Sequence, residues 1–429
     1  MQLYDTAREA VVPFEPGPIV TLYTCGITPY DSAHMGHAAT YLAYDVLQRR
    51  LRDRGHRTQC VRNITDVDDD ILRKARELGV HYLDLAAEEV ARFDKDMAAL
   101  GLLPAFSEPR ATSAIPDILG FIGMVLESGH AYQAGGSVYF DVSSMPRFGE
   151  VSHFDRATML ELAAERGGKV EDPNKRDPLD FVLWQPSAPD EPSWESLWGP
   201  GRPGWHIECS ALAMRELGET IDIHGGGADL IYPHHECEAV QSEAATGSKF
   251  VRHWMHVGMV RLAGDKMSKS LGNLVFVHDL LAEWEPDAIR LAVLAHHYRD
   301  SWEWTDKLMP EASERLLRWR AASSSSGGGS GTGGDPPVAS LEASAGAATG
   351  SGSATGSGSV SRSGSGSGSA GGSGAGDEGL NEVRKALDTD LDTPVAIEAL
   401  DRLASEGQSV VAGAALLGVE ISSGARLQS

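Results

Sequence analysis

The chain has 429 residues, which is room for two to three domains with sizeable cores and excludes a mini-protein held together by disulfides. Its 37 Lys and Arg against 61 Asp and Glu give a net charge of −24, a surface field that argues against broad, nonspecific nucleic-acid binding. We find neither a run near the roughly 18 apolar residues of a membrane span nor a signal peptide. Four scattered cysteines are too few for a disulfide framework. We therefore expect a cytoplasmic protein that does not bind a membrane. We also expect a monomer, although none of these observations bears on the oligomeric state.

Short apolar runs alternate with long amphipathic helices up to residue 322. The apolar runs are IVTLYTCGI, TQCVRNI, TIDIHG and WMHVGMV, and the clearest helices are TYLAYDVLQRRLRDRG and VHYLDLAAEEVARFDKDMAALG. Such alternation is typical of an α/β fold with a doubly wound parallel sheet.

The composition changes sharply after residue 322. Between Ser323 and Gly376 there are 18 glycines and 17 serines, with no apolar periodicity, so we predict a disordered Gly/Ser-rich linker over 323–379. The last segment, 380–429, again shows helical spacing, and Thr393-Pro394 is a typical helix start. We predict a short helical tail there.

The first motif that suggests chemistry is TLYTCGITPYDSAHMGHAATYLAYD. An apolar strand ends near Cys25, and His34-Met35-Gly36-His37 opens a helix. A helix N-terminus beside two imidazoles is suited to phosphate, and both histidines could donate to oxygens that gain charge in a transition state. By itself, such a pair is more often ordinary capping or surface structure.

The second motif is GDKMSKSLGN, residues 264–273, which carries Lys266 and Lys269. A loop of this kind can close over a triphosphate and neutralise the leaving pyrophosphate, although loop lysines are usually only solvated. Together, the HMGH and KMSKS motifs resemble those of class I aminoacyl-tRNA synthetases. The resemblance implies a Rossmann-like catalytic core, ATP with Mg²⁺ as substrate, activation of a carboxylate as an acyl-adenylate, and catalytic roles for both histidines and both lysines.

A third set of residues has the side chains that zinc prefers. Cys25, Cys209 and His234 offer two thiolates and an imidazole, and Glu238 follows His234 by one helical turn. Scattered cysteines are more often small core residues, which is how we interpret Cys237. The set is similar to that of cysteinyl-tRNA synthetases, and this implies one Zn²⁺ that binds the substrate thiol. Whether Glu238 is a fourth ligand or supports the site from outside stays open.

Residues 19–320 resemble both cysteinyl-tRNA synthetases and the mycothiol biosynthesis ligases, which join cysteine to glucosaminyl-inositol. Three sequence segments favour the ligases: ITPYDSAHMGHAATYLAYD, the ERGG of residues 165–168, and IRLAVLAHHYRDSWEWTD. Glu238, in contrast, is a synthetase-like feature. The resemblance implies ATP-dependent ligation of L-cysteine to the amino group of glucosaminyl-inositol through a cysteinyl-adenylate, with release of AMP and diphosphate. The alternatives are a cysteinyl-tRNA synthetase and a noncatalytic zinc- and nucleotide-binding paralogue with a regulatory role.

The ligase interpretation makes tRNA an unexpected partner, since the chain stops without an anticodon-reading domain and its most basic segment, 48–57, is typical of a solvated helix.

The ligase interpretation also implies four regions. These are a catalytic core over 1–265 with a connective insertion at about 95–200, the KMSKS loop with the following helices over 266–322, the linker over 323–379 and the tail over 380–429. Asp229 is expected to hold the cysteine α-ammonium. The residues expected to bind substrate or adenylate are Cys25, Gly26, Ile27, Thr28, Thr40, Asn63, Ile64, Thr65, Trp205, Gly227, Ala228, Asp229 and Val260.

Overall fold

A computed structural model describes residues 1–30, 33–267, 272–325 and 374–421. Its strands are β1 (Gln2–Asp5), β2 (Ala10–Pro13), β3 (Ile19–Ile27), β4 (Arg57–Ile64), β5 (Ala131–Ala134), β6 (Ser137–Phe140), β7 (Phe181–Gln185), β8 (Arg202–Pro203), β9 (Ile221–Gly227), β10 (Val251–Val257), β11 (Val260–Leu262), β12 (Asp265–Lys266) and β13 (Trp302–Glu303).

The α-helices of the described residues run from the end of the first motif to the C-terminal segment. They are α1 (Met35–Asp53), α2 (Asp69–Leu78), α3 (Tyr82–Ala99), α4 (Ile115–Glu127), α5 (Arg156–Glu165), α6 (Trp205–Leu217), α7 (Glu236–Thr246), α8 (Val277–Glu283), α9 (Pro286–Leu294), α10 (Leu308–Ser325), α11 (Gly374–Asp388), α12 (Thr393–Ser405) and α13 (Val411–Leu416). Among the helices described, none is long and apolar enough to cross a bilayer.

The central sheet is parallel and has the strand order β10-β9-β3-β4. Successive residues of a strand point to opposite faces, and the sheet has a separate core on each face. Leu22 of β3 packs with α1, α9 and the C-terminal helices, whereas its neighbour Tyr23 packs with α4, α6 and α7. The predicted α/β class with a doubly wound parallel sheet is therefore confirmed.

A second, antiparallel sheet is inserted between β4 and α6, with strand order β5-β6-β7-β8. Its position in the chain overlaps the predicted connective insertion at about 95–200. The insertion matters for the site because Trp205 begins helix α6 immediately after β8 and Gly204. The antiparallel sheet therefore leads directly into the helix that carries Cys209.

A buried cation adds to the apolar packing between the C-terminal segment and the helices on the α1 face of the parallel sheet. Arg290 of α9 is fully buried, and it donates to the carbonyl oxygens of Leu417 (2.5 Å) and Leu100 (3.1 Å) and forms an ion pair with Asp45 of α1. Helix α12 begins at Thr393-Pro394, as predicted, with the Asp392 side chain as its N-cap. Residues 326–373, most of the predicted linker, lie outside the described residues, and α11 begins at 374 within the predicted linker range.

Candidate active site

The HMGH motif lies at the N-terminus of α1, directly after the parallel strand β3. His34 is the N-cap residue, and its Nδ1 accepts a hydrogen bond of 3.1 Å from the backbone N–H of Gly36. The rings of His34 and His37 lie 3.9 Å apart, centroid to centroid, and both are half-buried. Two imidazoles thus stand at the positive end of a 19-residue helix dipole, a position that favours an anion.

The chain that flanks the second motif pairs with the first motif, although the two are far apart in sequence. The N–H of Met35 donates to the carbonyl of Val275 (2.9 Å), and the N–H of Val277 donates to the carbonyl of Ala33 (2.8 Å). On the other side of the loop, the N–H of Met267 donates to the carbonyl of Val260 (3.0 Å). Both ends of the KMSKS loop are therefore anchored at the start of α1 or on β11.

The lysines of the second motif are described only in part. Lys266 belongs to the short strand β12, whose pairing with Arg261 and Leu262 of β11 is defined, but its side chain is outside the described atoms. Lys269 lies outside the described residues altogether. The roles of both lysines remain predictions.

The four candidate zinc ligands predicted from the sequence come together in the fold. Cys25 comes from β3 and Cys209 from α6, whereas His234 lies just before α7 and Glu238 lies in the first turn of α7. One ligand atom from each lies within 4.8 Å of all the others, and all four side chains are buried.

The distances between these donors match those of a tetrahedral metal site. The two sulfur atoms lie 3.8 Å apart, and two Zn–S bonds of about 2.3 Å at a tetrahedral angle would place them roughly 3.8 Å apart. Glu238 Oε2 lies 3.8 Å from Cys25 Sγ and 3.5 Å from His234 Nε2. The donor set therefore fits one zinc ion.

The protonation states that burial favours in the two thiols and the Glu238 carboxyl would be reversed by a bound cation. Burial raises the pKa of the Cys25 and Cys209 thiols and of the Glu238 carboxyl, and it lowers the pKa of His234 well below its usual value. Glu238 Oε1 is buried without a hydrogen-bond partner. A divalent cation would favour the thiolate and carboxylate forms that burial alone opposes, so the residues present fit the implied metal.

Two further histidines, which the sequence reasoning missed, approach the same point. His235 Nε2 lies 3.3 Å from Cys25 Sγ, and His224 Nε2 lies 3.1 Å from Glu238 Oε2, so these four residues form a second group with metal-ligand spacing. The far nitrogen of each ring has another contact: His235 Nδ1 is 2.6 Å from His256 Nε2, and His224 Nδ1 is 3.0 Å from the carbonyl of Tyr23. The two-thiolate group suits zinc better because thiolates are soft ligands.

The sequence gives these two histidines no distinguishing signal. His235 directly follows His234, and His224 lies on β9 just before the glycines at 225–227. Neither position has a spacing that distinguishes a ligand from a core residue, and only the fold brings them to Cys25.

The predicted substrate residues around Trp205 and Asp229 lie beside this donor group. The Trp205 ring stacks on His234 with centroids 4.2 Å apart, and His206 Nδ1 lies 3.0 Å from His234 Nδ1. A Cβ placed on Gly227 would be 2.6 Å from Asp229 Oδ1 and 4.0 Å from Thr40 Oγ1. Glycine at 227 thus leaves room for the Asp229 carboxylate close to the backbone, next to the 3₁₀ turn that includes Ala228.

Other predicted contact residues support the backbone near Cys25. Asn63 is buried, and its Oδ1 accepts a hydrogen bond of 2.8 Å from the N–H of Gly26. A Cβ on Gly26 would lie only 1.4 Å from the carbonyl oxygen of Asn63, so this position requires glycine. Asn63 Nδ2 also donates to Thr65 Oγ1 (3.1 Å). Ile27, Ile64 and Val260 are buried side chains of the strands.

A cavity of about 580 Å³ opens between the end of the parallel sheet and the inserted antiparallel sheet. Thr28, Trp205 and Asp229 are among the residues that line it. Part of its wall is the ERGG segment at the C-terminal end of α5, whose Arg166 side chain donates to the carbonyl oxygens of Asp229 and Tyr232. The sequence marked ERGG only by resemblance; the structure shows that its arginine holds the loop that carries Asp229.

Comparison with known proteins agrees with this geometry. Residues 11–314 match the family model of the tRNA synthetases class I (C) catalytic domain. The L-cysteine:1D-myo-inositol 2-amino-2-deoxy-alpha-D-glucopyranoside ligase of Thermomonospora curvata is 44% identical over 408 residues, covering 95% of this chain and 88% of the relative. The ligase of the same name from Nakamurella multipartita is 42% identical over 432 residues, covering 98% and 95%.

A solved structure shows the same fold at low sequence identity. The Mycobacterium tuberculosis methionyl-tRNA synthetase in complex with methionyl-adenylate superposes with a TM-score of 0.62 at 16% identity, covering 90% of this chain and 82% of that one. The chain therefore belongs to the class I (C) tRNA synthetase family and, within it, to the L-cysteine:1D-myo-inositol 2-amino-2-deoxy-alpha-D-glucopyranoside ligases.

Proposed function

We propose that the protein is an ATP-dependent, AMP-forming ligase of mycothiol biosynthesis that joins L-cysteine to the amino group of glucosaminyl-inositol through a cysteinyl-adenylate. The observation that carries this proposal is the buried Cys25, Cys209, His234 and Glu238 group, which lies at the carboxyl end of the parallel sheet close to the HMGH helix. A thiol-selective site beside a phosphate-binding helix end is what activation of cysteine requires.

The proposed metal is one Zn²⁺ held by Cys25, Cys209 and His234, with Glu238 adjacent. The chemistry that bound zinc supplies is capture of a thiolate as a soft ligand, which a serine hydroxyl replaces poorly. The stacked Trp205 ring fixes the orientation of His234, and the contact with His206 occupies the far nitrogen of that ring. These neighbours keep the His234 Nε2 directed at the donor group.

In the first half-reaction, the cysteine carboxylate attacks the α-phosphate of ATP, which is bound with Mg²⁺, and diphosphate leaves. Asp229 is placed to bind the cysteine α-ammonium, because its carboxylate lies over Gly227 and lines the cavity beside Trp205. His34 and His37, at the positive end of α1, stabilise the charge that develops on the phosphate oxygens. Lys266 and Lys269 are the proposed partners of the leaving diphosphate.

The experiment that tests the first half-reaction is exchange of labelled diphosphate into ATP. With zinc-loaded protein we expect exchange that depends on cysteine and is absent with serine. Equal exchange with serine would refute the thiol-selective site.

We further propose that the enzyme acts as a monomer in the cytoplasm and does not use tRNA. Sedimentation equilibrium tests the monomeric state, and a dimer at micromolar concentration would contradict it.

A further inference from the structure

The 580 Å³ cavity extends well beyond the residues expected to hold cysteine and adenylate. Besides Thr28, Trp205 and Asp229, it is lined by residues that have no expected role in binding either group, among them Glu165, Arg166 and Gln185. Its volume lies within the range of about 300–1,000 Å³ that is usual for sites of drug-sized ligands. The cavity therefore has room for a second substrate beside the activated cysteine.

The charge of the cavity wall points to the chemistry of that substrate. Six carboxylates line the cavity: Asp68, Asp69, Asp70, Glu165, Asp180 and Asp229. The three cationic side chains that line it are Arg166, Lys169 and Lys175, so the difference is 3 − 6 = −3. Arg166 already donates to two backbone carbonyls. Such a wall favours a cationic ligand whose hydroxyl groups can donate to the carboxylates.

Asp68 lies in this wall in direct contact with one of the residues expected to bind the adenylate. It precedes α2 as its N-cap, and its Oδ1 accepts a hydrogen bond of 2.9 Å from the N–H of Ile71. Its Oδ2 accepts a hydrogen bond of 2.8 Å from the hydroxyl of Thr28, one of the residues expected to touch the adenylate. Asp68 is half-buried and lines the cavity.

We propose that this cavity is the acceptor subsite of the ligase and that Asp68 binds the ammonium group of an aminoglycosyl polyol and takes its proton. The inference rests on the proposed function and deepens it, because it assigns the second substrate a place and its amine a proton acceptor. Arg166 is a positioning residue of the subsite, since it holds the backbone of Asp229 and Tyr232 against the inserted domain.

The second half-reaction consumes the acceptor ammonium and the cysteinyl-adenylate. The acceptor ammonium gives one proton to the Asp68 carboxylate, and the freed lone pair forms a C–N bond to the carbonyl carbon of the cysteinyl-adenylate. The tetrahedral intermediate loses a second proton from nitrogen, and the bond between the carbonyl carbon and the phosphate oxygen breaks. AMP leaves with the bonding electrons and its phosphate takes that second proton, so no oxidant and no covalent enzyme intermediate is needed.

The surroundings of Asp68 are consistent with a proton acceptor that works near neutral pH. Burial raises the pKa of Asp68 to about 6, and the neighbouring Asp70 and Asp69 act in the same direction. From other elements, Glu208 of α6 and Asp66 of the loop after β4 are the nearby acids; burial raises the pKa of Glu208 well above its usual value. A carboxylate with a pKa near the working pH is an effective general base.

The test compares Asp68→Asn with Asp84→Asn. Asparagine is as good an N-cap as aspartate, so Asp68→Asn should fold, and thermal unfolding checks this. Asp84 is the matched control, because it is an exposed aspartate in the first turn of α3 and does not line the cavity. Three readouts are needed: cysteine-dependent diphosphate exchange, trapping of the adenylate by hydroxylamine, and ligation to glucosaminyl-inositol.

For Asp68→Asn we expect exchange and hydroxamate formation within about twofold of wild type, since hydroxylamine is neutral at the assay pH and needs no base. We expect kcat/KM for glucosaminyl-inositol to fall by about 10²–10⁴-fold, the usual contribution of a general base. We also expect its acid-side decline to move from about pH 6, the pKa of Asp68, to the higher pKa of the acceptor amine, because only the neutral amine can then react. Asp84→Asn should leave all three readouts unchanged.

Wild-type kcat/KM for the acceptor in Asp68→Asn would overturn the inference, and so would an equal loss in hydroxylamine trapping, which would place Asp68 in the first half-reaction. Absence of cysteine-dependent exchange in the wild-type enzyme would instead overturn the proposed function. If Asp68→Asn proves unstable, Asp68→Ser keeps an N-cap oxygen, and the same comparison of exchange with ligation applies.

Discussion

Replacing Cys209 with serine removes one soft donor from the proposed zinc site with almost no change in volume. The four donor atoms form one compact group, and the 3.8 Å separation of the two sulfurs is that of a zinc dithiolate. Four-ligand structural zinc sites bind with about 10–16 kcal/mol, or roughly 2.5–4 kcal/mol per ligand. We therefore expect Cys209→Ser to weaken zinc binding by roughly 10²–10³-fold.

The matched control is Cys237→Ser. Cys237 is also a buried cysteine, 2% exposed, and it directly precedes Glu238, but it belongs to neither group of residues with metal-ligand spacing. Competition with a chromogenic zinc chelator measures the affinity, and circular dichroism measures folding. Zinc affinity of Cys209→Ser within twofold of wild type, or an equal loss in Cys237→Ser, would refute the assignment of Cys209 as a ligand.

Three further predictions concern the fold and the nucleotide site. Arg290→Met should lower the free energy of unfolding by about 3–5 kcal/mol in urea titrations, since it leaves Asp45 and two backbone carbonyls without a buried cation; a loss below 1 kcal/mol would contradict this. His37→Asn should reduce the maximal rate of cysteine-dependent diphosphate exchange by about 10²-fold with unchanged zinc content, whereas a pure rise in KM would argue for ground-state binding only. Gly26→Ala should lower Tm strongly or abolish soluble expression, because its Cβ would lie 1.4 Å from the Asn63 carbonyl oxygen; a wild-type Tm would show that β3 and β4 can separate there.

The fold class could be predicted from the sequence because the doubly wound sheet has a local signature. Each parallel strand is a short apolar run, and the long helix after β3 shows its amphipathic pattern without any tertiary information. The antiparallel sheet of the insertion was not predicted. Its strands are two to five residues long, too short to give a period of their own.

The site was predictable where residue types are diagnostic and unpredictable where only distance matters. Cys25, Cys209 and His234 suggested a zinc site because thiolates and imidazoles are distinctive ligands. His224 and His235 are separated from Cys25 by about 200 residues of sequence, and nothing local distinguishes them from core histidines. The role of Arg166 was equally hidden, since its partners are backbone carbonyls of a loop 63 and 66 residues away.

The most direct test of the central claim is AMP release by the zinc-loaded protein supplied with ATP and cysteine. Glucosaminyl-inositol is added in one arm and cysteine-accepting tRNA in the other. We predict turnover that depends on glucosaminyl-inositol and yields an amide, with no charging of tRNA. Charging of tRNA without turnover on the aminosugar would contradict the proposed function.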